Sequence, residues 1–378
     1  MTRVIHVLSD MKIGGAGVWL LNLLGSIDRE RFEIKVVLPQ GSMLADKVRE
    51  MGFEAIAVEG MKDRSFDRTA VGLLLEIFRK EKPQIVHTHA SLSARLAARV
   101  SGAKIINTKH CMDGRRTGIK GFAGACLNNW LSDGTVAVSE AVRRNMLDNG
   151  ADKEKISVIY GGIRPVRELD EEEKNTVRRK WGISGQDTVV GIVARLAEVK
   201  GHRYFLEAAE IISREKKDVK FVIAGGGPKE QELKEQAKSL GLEAKVVFTG
   251  FMENVHEILN ILDINVISSL SEALCLSLIE GMSIGKPSVG TDTGGVPEVV
   301  KDGYNGFLAP ARDSEKLASA VLRLISDPEL RKTMGDRGRE LAAQSFTAGA
   351  MARGIEELYE AVAKKNGREC GEGNGVNG

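Results

Sequence analysis

Two cations in one short segment could offset the charge of a bound phosphate group. Arg195 and Lys200 belong to the segment 194–201, which follows an apolar run, 188–193, that favours a strand. An arginine and a lysine at the carboxyl end of a strand, beside a glycine, suit a diphosphate. Two solvated loop charges are the alternative explanation, and this pair alone does not exclude it.

Two glutamates frame an apolar segment and are candidates for contacting an extended ligand. Glu272 and Glu280 are separated by seven residues. In a helix they would stand about 80° apart beyond two full turns, with about 12 Å of rise. They therefore cannot closely share one proton or one metal ion. They could instead contact two ends of one ligand, and ordinary surface glutamates are the alternative.

Histidines follow two predicted strands. His110 ends the run 105–110, and His87 and His89 have the spacing that places both on one face of a strand. A metal ion would need a third ligand nearby, and none is evident in the sequence. A lone histidine at such a position is usually structural.

Glycines follow a strand and precede a helix in both halves of the chain. Gly14 and Gly15 do so in the first half, and Gly225 and Gly227 do so before Pro228 in the second. Such loops let backbone N–H groups approach a phosphate or a sugar at a helix N-terminus. The first loop lacks the third glycine of the dinucleotide fingerprint. A tight structural turn is the alternative.

The sequence lacks the motifs that several other enzyme mechanisms require. The sequence contains no H-E-x-x-H, no phosphate-binding G-x-x-x-x-G-K-[ST] and no D-x-D pair. The segment 281–285 matches the G-x-S-x-G of hydrolases, but that mechanism requires a later histidine, and the last one is His256. We therefore treat this match as accidental.

The elements that must position these residues alternate between β-rich and helical patterns, which predicts parallel sheets with crossover helices. Strands are predicted at 4–8, 32–38, 85–87, 104–107, 135–138 and 156–160, and again at 188–193, 220–224, 245–249, 264–268 and 287–290. Glycines and a proline at 161–165, followed by a charged stretch at 167–180, indicate a domain boundary. We predict domains at 1–163 and 164–345 that face a cleft, a helix at 346–365 that packs back on the first domain, and a flexible tail at 366–378.

Taken together, the motifs resemble the retaining GT-B glycosyltransferases with the E-x7-E signature, of the family 4-like group 1 type. They follow the order of that family over residues 4 to about 360. The matching segments are 14–16, the Arg195/Lys200 loop, 225–228, Glu272-x7-Glu280, 285–287, 293–298 and 302–308. The resemblance implies two Rossmann-like doubly wound α/β domains and the transfer of a sugar from a nucleotide diphosphate.

The resemblance also implies a role for each matched residue. On the donor diphosphate we expect Gly14 and Gly15 from the first domain, and Arg195, Lys200 and the Gly225/Gly227 loop from the second. Glu280 would accept the ribose hydroxyls, and Glu272 would contact the transferred sugar together with backbone N–H groups of Leu274, Cys275 and Leu276. His110 would hydrogen-bond the sugar near its reacting carbon, and Ser139 is a weaker candidate.

The resemblance implies retention of configuration without a metal ion or another cofactor, with the nucleotide sugar, weighted towards UDP, as co-substrate. Gly17 stands where the family often has glutamate, Cys275 where glycine or proline is common, and Gly162 where asparagine is usual. A non-catalytic nucleotide-sugar-binding module and a GT-B phosphorylase are the competing functions.

Composition and charge bear on the compartment and the acceptor. The four cysteines form no C-x-x-C pair, and no apolar run approaches the ~18 residues of a spanning helix. We therefore expect a cytoplasmic protein that binds no nucleic acid. Residues 1–163 hold 24 Lys and Arg against 18 Asp and Glu. This basic half could receive a saccharide or lipid-linked acceptor of the cell envelope, and it could contact the inner face of a membrane peripherally. The basic residues that would do so are Lys104, Lys109, Arg115, Arg116 and Lys120. Solvated loop charge is an equal alternative.

Overall fold

The computed structural model describes residues 1–115 and 117–364, and these divide into two compact units. One unit comprises the described residues of 1–164 together with 348–364, and the other comprises Pro165–Thr347. The sequence predicts the first boundary one residue earlier, after residue 163, and the second boundary two residues earlier, after residue 345. The predicted tail at 366–378 and the candidate basic residue Arg116 lie outside the described residues.

The first unit is built on a parallel sheet. Its strands are β1 (Thr2–Val7), β2 (Phe32–Pro39), β3 (Glu54–Val58), β4 (Ile85–Thr88), β5 (Lys104–Lys109), β6 (Gly134–Ala137) and β7 (Ile156–Val158). They lie in the order β3-β2-β1-β4-β5-β6-β7. The order reverses between β1 and β4, which makes the carboxyl ends of these two strands the position where doubly wound sheets bind ligands.

Helices connect these strands and bury their apolar faces against the sheet. They are α1 (Gly15–Leu24), α2 (Leu44–Glu50), α3 (Arg68–Glu81), α4 (Leu92–Ser101), α5 (Gly118–Trp130) and α6 (Glu140–Asp148). The core on the α3 and α4 side joins Leu74 and Phe78 to Val86 and Ile105. Asp67 and Ser91 cap α3 and α4 by accepting backbone N–H groups, which fixes where these helices begin.

The second unit repeats the design with a sheet ordered around its own first strand. Its strands are β8 (Thr188–Val193), β9 (Val219–Ala224), β10 (Val246–Gly250), β11 (Ile264–Ile267), β12 (Ser288–Thr291) and β13 (Gly306–Ala309). They lie in the order β10-β9-β8-β11-β12-β13, and all pairs are parallel. The reversal here lies between β8 and β11.

The helices of the second unit are α7 (Glu171–Lys180), α8 (His202–Glu215), α9 (Glu230–Ser239), α10 (His256–Ile261), α11 (Leu276–Ser283), α12 (Val296–Val299), α13 (Ser314–Ser326) and α14 (Pro328–Ser345). The final helix, α15 (Ala348–Lys364), returns to the first unit and contacts α1. Its apolar face buries Ile355 and Tyr359, so that Tyr359 reaches the sheet of the first unit.

The structure corrects several sequence predictions. Strands β3 and β13 lie at sheet edges and are too short or too polar to show a clear pattern. The charged stretch at 167–180 contains helix α7, whose capping box joins Asp170 to Glu173. Helices α5 and α12 were not predicted: α12 has only four residues, and α5 carries three glycines and exposes most of its apolar side chains.

Candidate active site

The carboxyl ends of β8 and β11 bring together the charged residues predicted in the second unit. Arg195 follows β8, and Lys200 ends a single 3-10 turn, Glu198–Lys200, before α8. Glu272 follows β11 in the loop that leads to α11. Because β8 and β11 are adjacent parallel strands, their loops meet at one edge of the sheet.

Lys200 and Glu272 form an ion pair at this edge. The ammonium Nζ of Lys200 lies 2.6 Å from Oε2 of Glu272, and the hydroxyl of Ser269 donates to the same oxygen at 3.0 Å. Glu272 is buried, with 8% of its surface exposed. Burial opposes the charge of Lys200, but the carboxylate of Glu272 outweighs it and raises the pKa of the lysine. The ammonium group of Lys200 is therefore held in its charged form.

Arg195 differs from Lys200 in its surroundings. Its side chain is exposed and forms no hydrogen bond or ion pair with the residues that the structure describes. A guanidinium with this freedom can offer two parallel N–H groups to a phosphate. The two cations therefore differ in their contacts, since Lys200 is paired with Glu272 and Arg195 is not paired with any described residue. The sequence alone does not distinguish them.

Glycines allow backbone segments to approach each other closely around these charges. Gly294 has a φ of +54°, and a Cβ there would overlap the carbonyl oxygen of Glu272. A Cβ at Gly225 would overlap the carbonyl of Ala194, and one at Gly227 would overlap that of Leu196. The N–H of Gly225 donates to Gly250 O at 3.0 Å, so it is not available to a phosphate. The predicted donor-binding glycines thus shape the Arg195 loop.

Helix α11 presents its N-terminus beside Glu272. Cys275 is the N-cap residue, and no side chain there accepts a helical N–H within hydrogen-bonding geometry. The first-turn N–H groups, which begin at Leu276, therefore remain donors for an oxygen-rich ligand. Leu274 and Cys275 are buried, and burial raises the pKa of the Cys275 thiol to about 11, so the thiol stays protonated.

Glu280 lies one turn further along α11 and is also buried. Its Oε1 lies 3.7 Å from Nε2 of His256, the first residue of α10. This neighbour was missed at the sequence level because the two residues are far apart in the chain. A buried carboxylate beside a histidine can accept hydrogen bonds from a pair of hydroxyl groups.

In the first unit, Gly14 and Gly15 form the start of α1 after β1. Gly14 is the N-cap residue, and no side chain caps this helix. A Cβ at either glycine would meet no heavy atom within 4 Å. The first N–H groups of the helix are therefore approachable, as an anion-binding helix N-terminus requires.

His110 is the end of a chain of hydrogen-bonded rings within the first unit. Its Nε2 lies 2.8 Å from Nδ1 of His89, whose Nε2 lies 3.1 Å from Nδ1 of His6. The other nitrogen of His6 lies 3.0 Å from the hydroxyl of Tyr359. The same hydroxyl lies 2.7 Å from Nδ1 of His87, whose Nε2 lies 2.6 Å from the hydroxyl of Thr108.

Burial keeps these imidazoles neutral. It lowers the pKa of His6 to about 3, and burial together with the charge of Lys109 lowers that of His110 to about 3. The pKa values of His87 and His89 are also lowered by burial and by neighbouring histidines. The described residues contain no group of three or more His, Cys, Asp or Glu side chains arranged to hold a metal ion.

Comparison with known proteins assigns the family. Residues 173–341 match the family described as glycosyl transferases group 1, and residues 13–167 match glycosyltransferase family 4. The chain belongs to the group 1 glycosyltransferases. The predicted resemblance to family 4-like group 1 glycosyltransferases is thereby confirmed, and the chain is a transferase. Retention of configuration and the roles of the E-x7-E residues stay predictions.

Two relatives of this glycosyltransferase illustrate the family. N-acetyl-α-D-glucosaminyl L-malate synthase of Bacillus anthracis is 28% identical over 80% of this chain and 82% of its own length. UDP-Gal:α-D-GlcNAc-diphosphoundecaprenol α-1,3-galactosyltransferase of Escherichia coli is 26% identical over 92% of this chain and 97% of its own.

A solved structure gives the fold of the glycosyltransferase. HepE of Anabaena, crystallised with UDP and glucose, has a TM-score of 0.85 to this chain. It is 21% identical, and the match covers 96% of this chain and 100% of HepE. The predicted GT-B fold, with two parallel-sheet α/β domains, is confirmed.

One predicted site residue of the glycosyltransferase, Ser139, has a structural role in capping a helix. Ser139 is fully buried, and its hydroxyl accepts the N–H of Val142 as the N-cap of α6. The hydroxyl of Ser139 therefore has a capping role, and its contact with the donor stays a prediction. Sequence reasoning missed His6 and Tyr359, which link His87 to His89, because only the strand order β1-β4-β5 and the return of α15 bring these residues together.

Proposed function

We propose that this glycosyltransferase transfers a hexosyl group from a UDP-sugar, with retention of configuration, to a saccharide or lipid-linked acceptor of the cell envelope. The observation that carries the proposal is the edge of the second unit where exposed Arg195, paired Lys200 and buried Glu272 follow adjacent strands. Such an edge suits a sugar diphosphate, because the diphosphate requires cations and the adjoining sugar hydroxyls require a hydrogen-bond acceptor.

The proposed reaction places the cations on the leaving group. The bond between the anomeric carbon and the diphosphate breaks, and the electron pair of that bond goes to the diphosphate. Arg195 and Lys200 offset this developing charge, and preorganised charges of this kind act most strongly in the transition state. The acceptor hydroxyl bonds to the anomeric carbon from the same face, and its proton goes to a diphosphate oxygen. No metal ion takes part.

Glu280 and Glu272 bind different parts of the donor in this proposal. Glu280 accepts the ribose hydroxyls, and Glu272 accepts a hydroxyl of the transferred sugar through the oxygen that does not bind Lys200. His110 contacts the sugar with Nδ1, the one imidazole nitrogen of the hydrogen-bonded chain without a partner among the described residues. The UDP assignment is supported by HepE, which was crystallised with UDP, and by the UDP-Gal of the E. coli relative's name.

A lipid-linked acceptor is supported by helix α5. Ile119 and Phe122 of this helix are 89% and 75% exposed, and Trp130 is exposed at its end. Lys120 and Arg115, exposed nearby, add positive charge. We propose that this face rests on an anionic membrane, as exposed apolar and basic residues together favour. No helix within residues 1–115 and 117–364 is long and apolar enough to span a membrane.

One assay separates the candidate functions. The protein is incubated with UDP-glucose, UDP-galactose or UDP-N-acetylglucosamine, with and without GlcNAc-diphosphoundecaprenol, and UDP release is measured. Acceptor-dependent release, with an α-linkage formed from an α-linked donor by NMR, is the expected result. A β-linkage would contradict retention. Sugar release from a glycan that requires inorganic phosphate would identify a phosphorylase, and binding of a donor without turnover would identify a binding module.

A further inference from the structure

The carboxylate of Glu280 accepts no hydrogen bond from another side chain or backbone group in the part of the chain that the structure describes. The side chain is nevertheless only 11% exposed. A carboxylate that is removed from water without hydrogen-bond donors is unfavourable, and buried polar groups are therefore usually partnered. Both oxygens of Glu280 thus remain acceptors for a ligand or for a side chain that can move towards them.

The imidazole of His256 lies beside this carboxylate. Its Nε2 lies 3.7 Å from Oε1 of Glu280, just beyond hydrogen-bonding distance. An ionised carboxylate only accepts hydrogen bonds, so an imidazole that bonds to it must present an N–H. The side chain of His256 is 40% exposed, and its ring therefore has room to rotate into contact with Glu280.

The backbone of His256 is held in place by hydrogen bonds. Its N–H donates to Oδ1 of Asn254 at 3.2 Å, and its carbonyl accepts from Nδ2 of buried Asn260 at 2.9 Å. The carbonyl of Asn260 in turn accepts from Nζ of Lys286, which follows α11, at 2.8 Å. Helix α10, which begins at His256, also packs against α11. A fixed backbone therefore places the imidazole next to the glutamate of α11.

We propose that His256 is a positioning residue, which holds one carboxylate oxygen of Glu280 and thereby directs the other towards the ribose hydroxyls of the donor. A free carboxylate group can rotate, and a donor at Oε1 removes this freedom before the nucleotide binds, which lowers the entropic cost of binding. The inference rests on the proposed role of Glu280 in binding ribose. It makes His256 a determinant of the preference for a ribonucleotide over a nucleotide without these hydroxyls.

Two substitutions of His256 separate the hydrogen bond from the presence of a side chain. His256→Leu removes the donor but keeps a residue that favours a helix, whereas His256→Gln supplies an amide N–H. We expect the affinity for UDP to fall about two- to tenfold in His256→Leu and to be largely recovered in His256→Gln. Glu253→Ala changes an exposed residue of the preceding loop and should bind UDP as the wild type does.

The experiment is calorimetric titration of the full-length protein with UDP and with dideoxy-UDP, which lacks both ribose hydroxyls. The wild type should bind UDP more tightly, because dideoxy-UDP offers no hydroxyl to Glu280. His256→Leu should weaken the binding of UDP and leave the binding of dideoxy-UDP unchanged. In a Glu280→Ala background, His256→Leu should have no further effect on UDP, since the carboxylate through which it acts is absent.

Three results would overturn the inference. Equal weakening of both ligands by His256→Leu, or the same loss with and without Glu280, would show that the imidazole contacts the nucleotide directly. Unchanged or tighter binding of UDP in His256→Leu would show that the imidazole does not assist Glu280. A loss that His256→Gln fails to recover would show that a hydrogen bond is not the cause.

Failure of the proposed role of Glu280 gives a different result. The wild type would then bind UDP and dideoxy-UDP with equal affinity, and Glu280→Ala would weaken neither ligand. A preference for UDP that depends on Glu280 but not on His256 would leave the ribose site in place and would overturn the positioning role of His256 alone.

Discussion

Nζ of Lys200 lies 2.6 Å from Oε2 of Glu272, so the cation proposed for the diphosphate is already paired with the carboxylate proposed for the sugar. The pair has a structural consequence as well as a chemical one. Removal of the lysine leaves a buried carboxylate whose remaining side-chain donor, among the residues that the structure describes, is Ser269. A bound diphosphate, by contrast, would share the ammonium with Glu272.

Lys200→Ala should lower stability, whereas Arg195→Ala should not. The side chain of Lys200 is 24% exposed, so loss of the partner of Glu272 should cost about 1–3 kcal/mol in the free energy of unfolding. Substitution of exposed Arg195 should change it by less than about 0.5 kcal/mol. Chemical denaturation of both variants gives the comparison. If Lys200→Ala/Glu272→Gln is no more stable than Lys200→Ala, the lost stability does not come from an unpaired Glu272.

Glu280→Ala should weaken the binding of free UDP. Loss of the buried acceptor for two ribose hydroxyls should cost about 1.5–3 kcal/mol of binding free energy, measurable by calorimetry. Glu253→Ala removes an exposed glutamate in the loop before α10 and serves as the control. Equal UDP affinity in the two variants would remove Glu280 from the ribose site.

Acid should destabilise the protein through its buried histidines. Burial lowers the pKa of His202, as it does for His6 and His110, and brings it to about 4. These rings stay neutral in the folded state, whereas they bind protons below pH 6.5 in the unfolded chain. The contribution of these histidines to the free energy of unfolding is therefore complete above pH 6.5 and is lost as the pH falls towards 4. The free energy of unfolding decreases by about 1.4 kcal/mol per pH unit for each histidine.

Unfolding free energies between pH 7.5 and 5 measure this slope. His202→Gln should reduce it by the contribution of one proton, since the second unit then lacks that buried ring. A slope that is the same in the variant and the wild type would show that His202 binds protons equally in the folded and unfolded states, so that burial does not lower its pKa.

Helix α5 should mediate binding to anionic membranes. Ile119→Ser/Phe122→Ser removes two side chains whose burial in lipid contributes about 1.5–3 kcal/mol each, so binding to phosphatidylglycerol vesicles should fall at least about tenfold. Phe66→Ser removes an exposed phenylalanine of the same unit outside α5 and should bind as the wild type does. Salt should weaken the wild-type interaction by screening. Equal pelleting of all three proteins would exclude α5 as the contact.

The sequence predicted the alternation of strands and helices and the loops that carry Arg195, Lys200 and Glu272, because these depend on local periodicity and breakers. It did not predict the pairing of Lys200 with Glu272, which depends on β8 lying beside β11. It also treated His87 and His89 as an incomplete pair. Their completion by His6 and Tyr359 depends on strand order and on a helix that returns from the far end of the chain.

The central claim, that cations stabilise the diphosphate as the sugar–phosphate bond breaks, is tested most directly by kcat and KM of Arg195→Ala with a UDP-sugar that the wild type accepts. Arg195 is the better probe because its loss should leave the fold intact. Loss of one preorganised donor typically lowers kcat by roughly 10²–10³-fold, and we predict a decrease that approaches this range. Arg195→Lys should recover only part of the rate, because a point charge cannot replace two parallel N–H donors. A near-normal kcat with a raised KM for the donor would contradict the account, since it would show that Arg195 binds the ground state and the transition state equally.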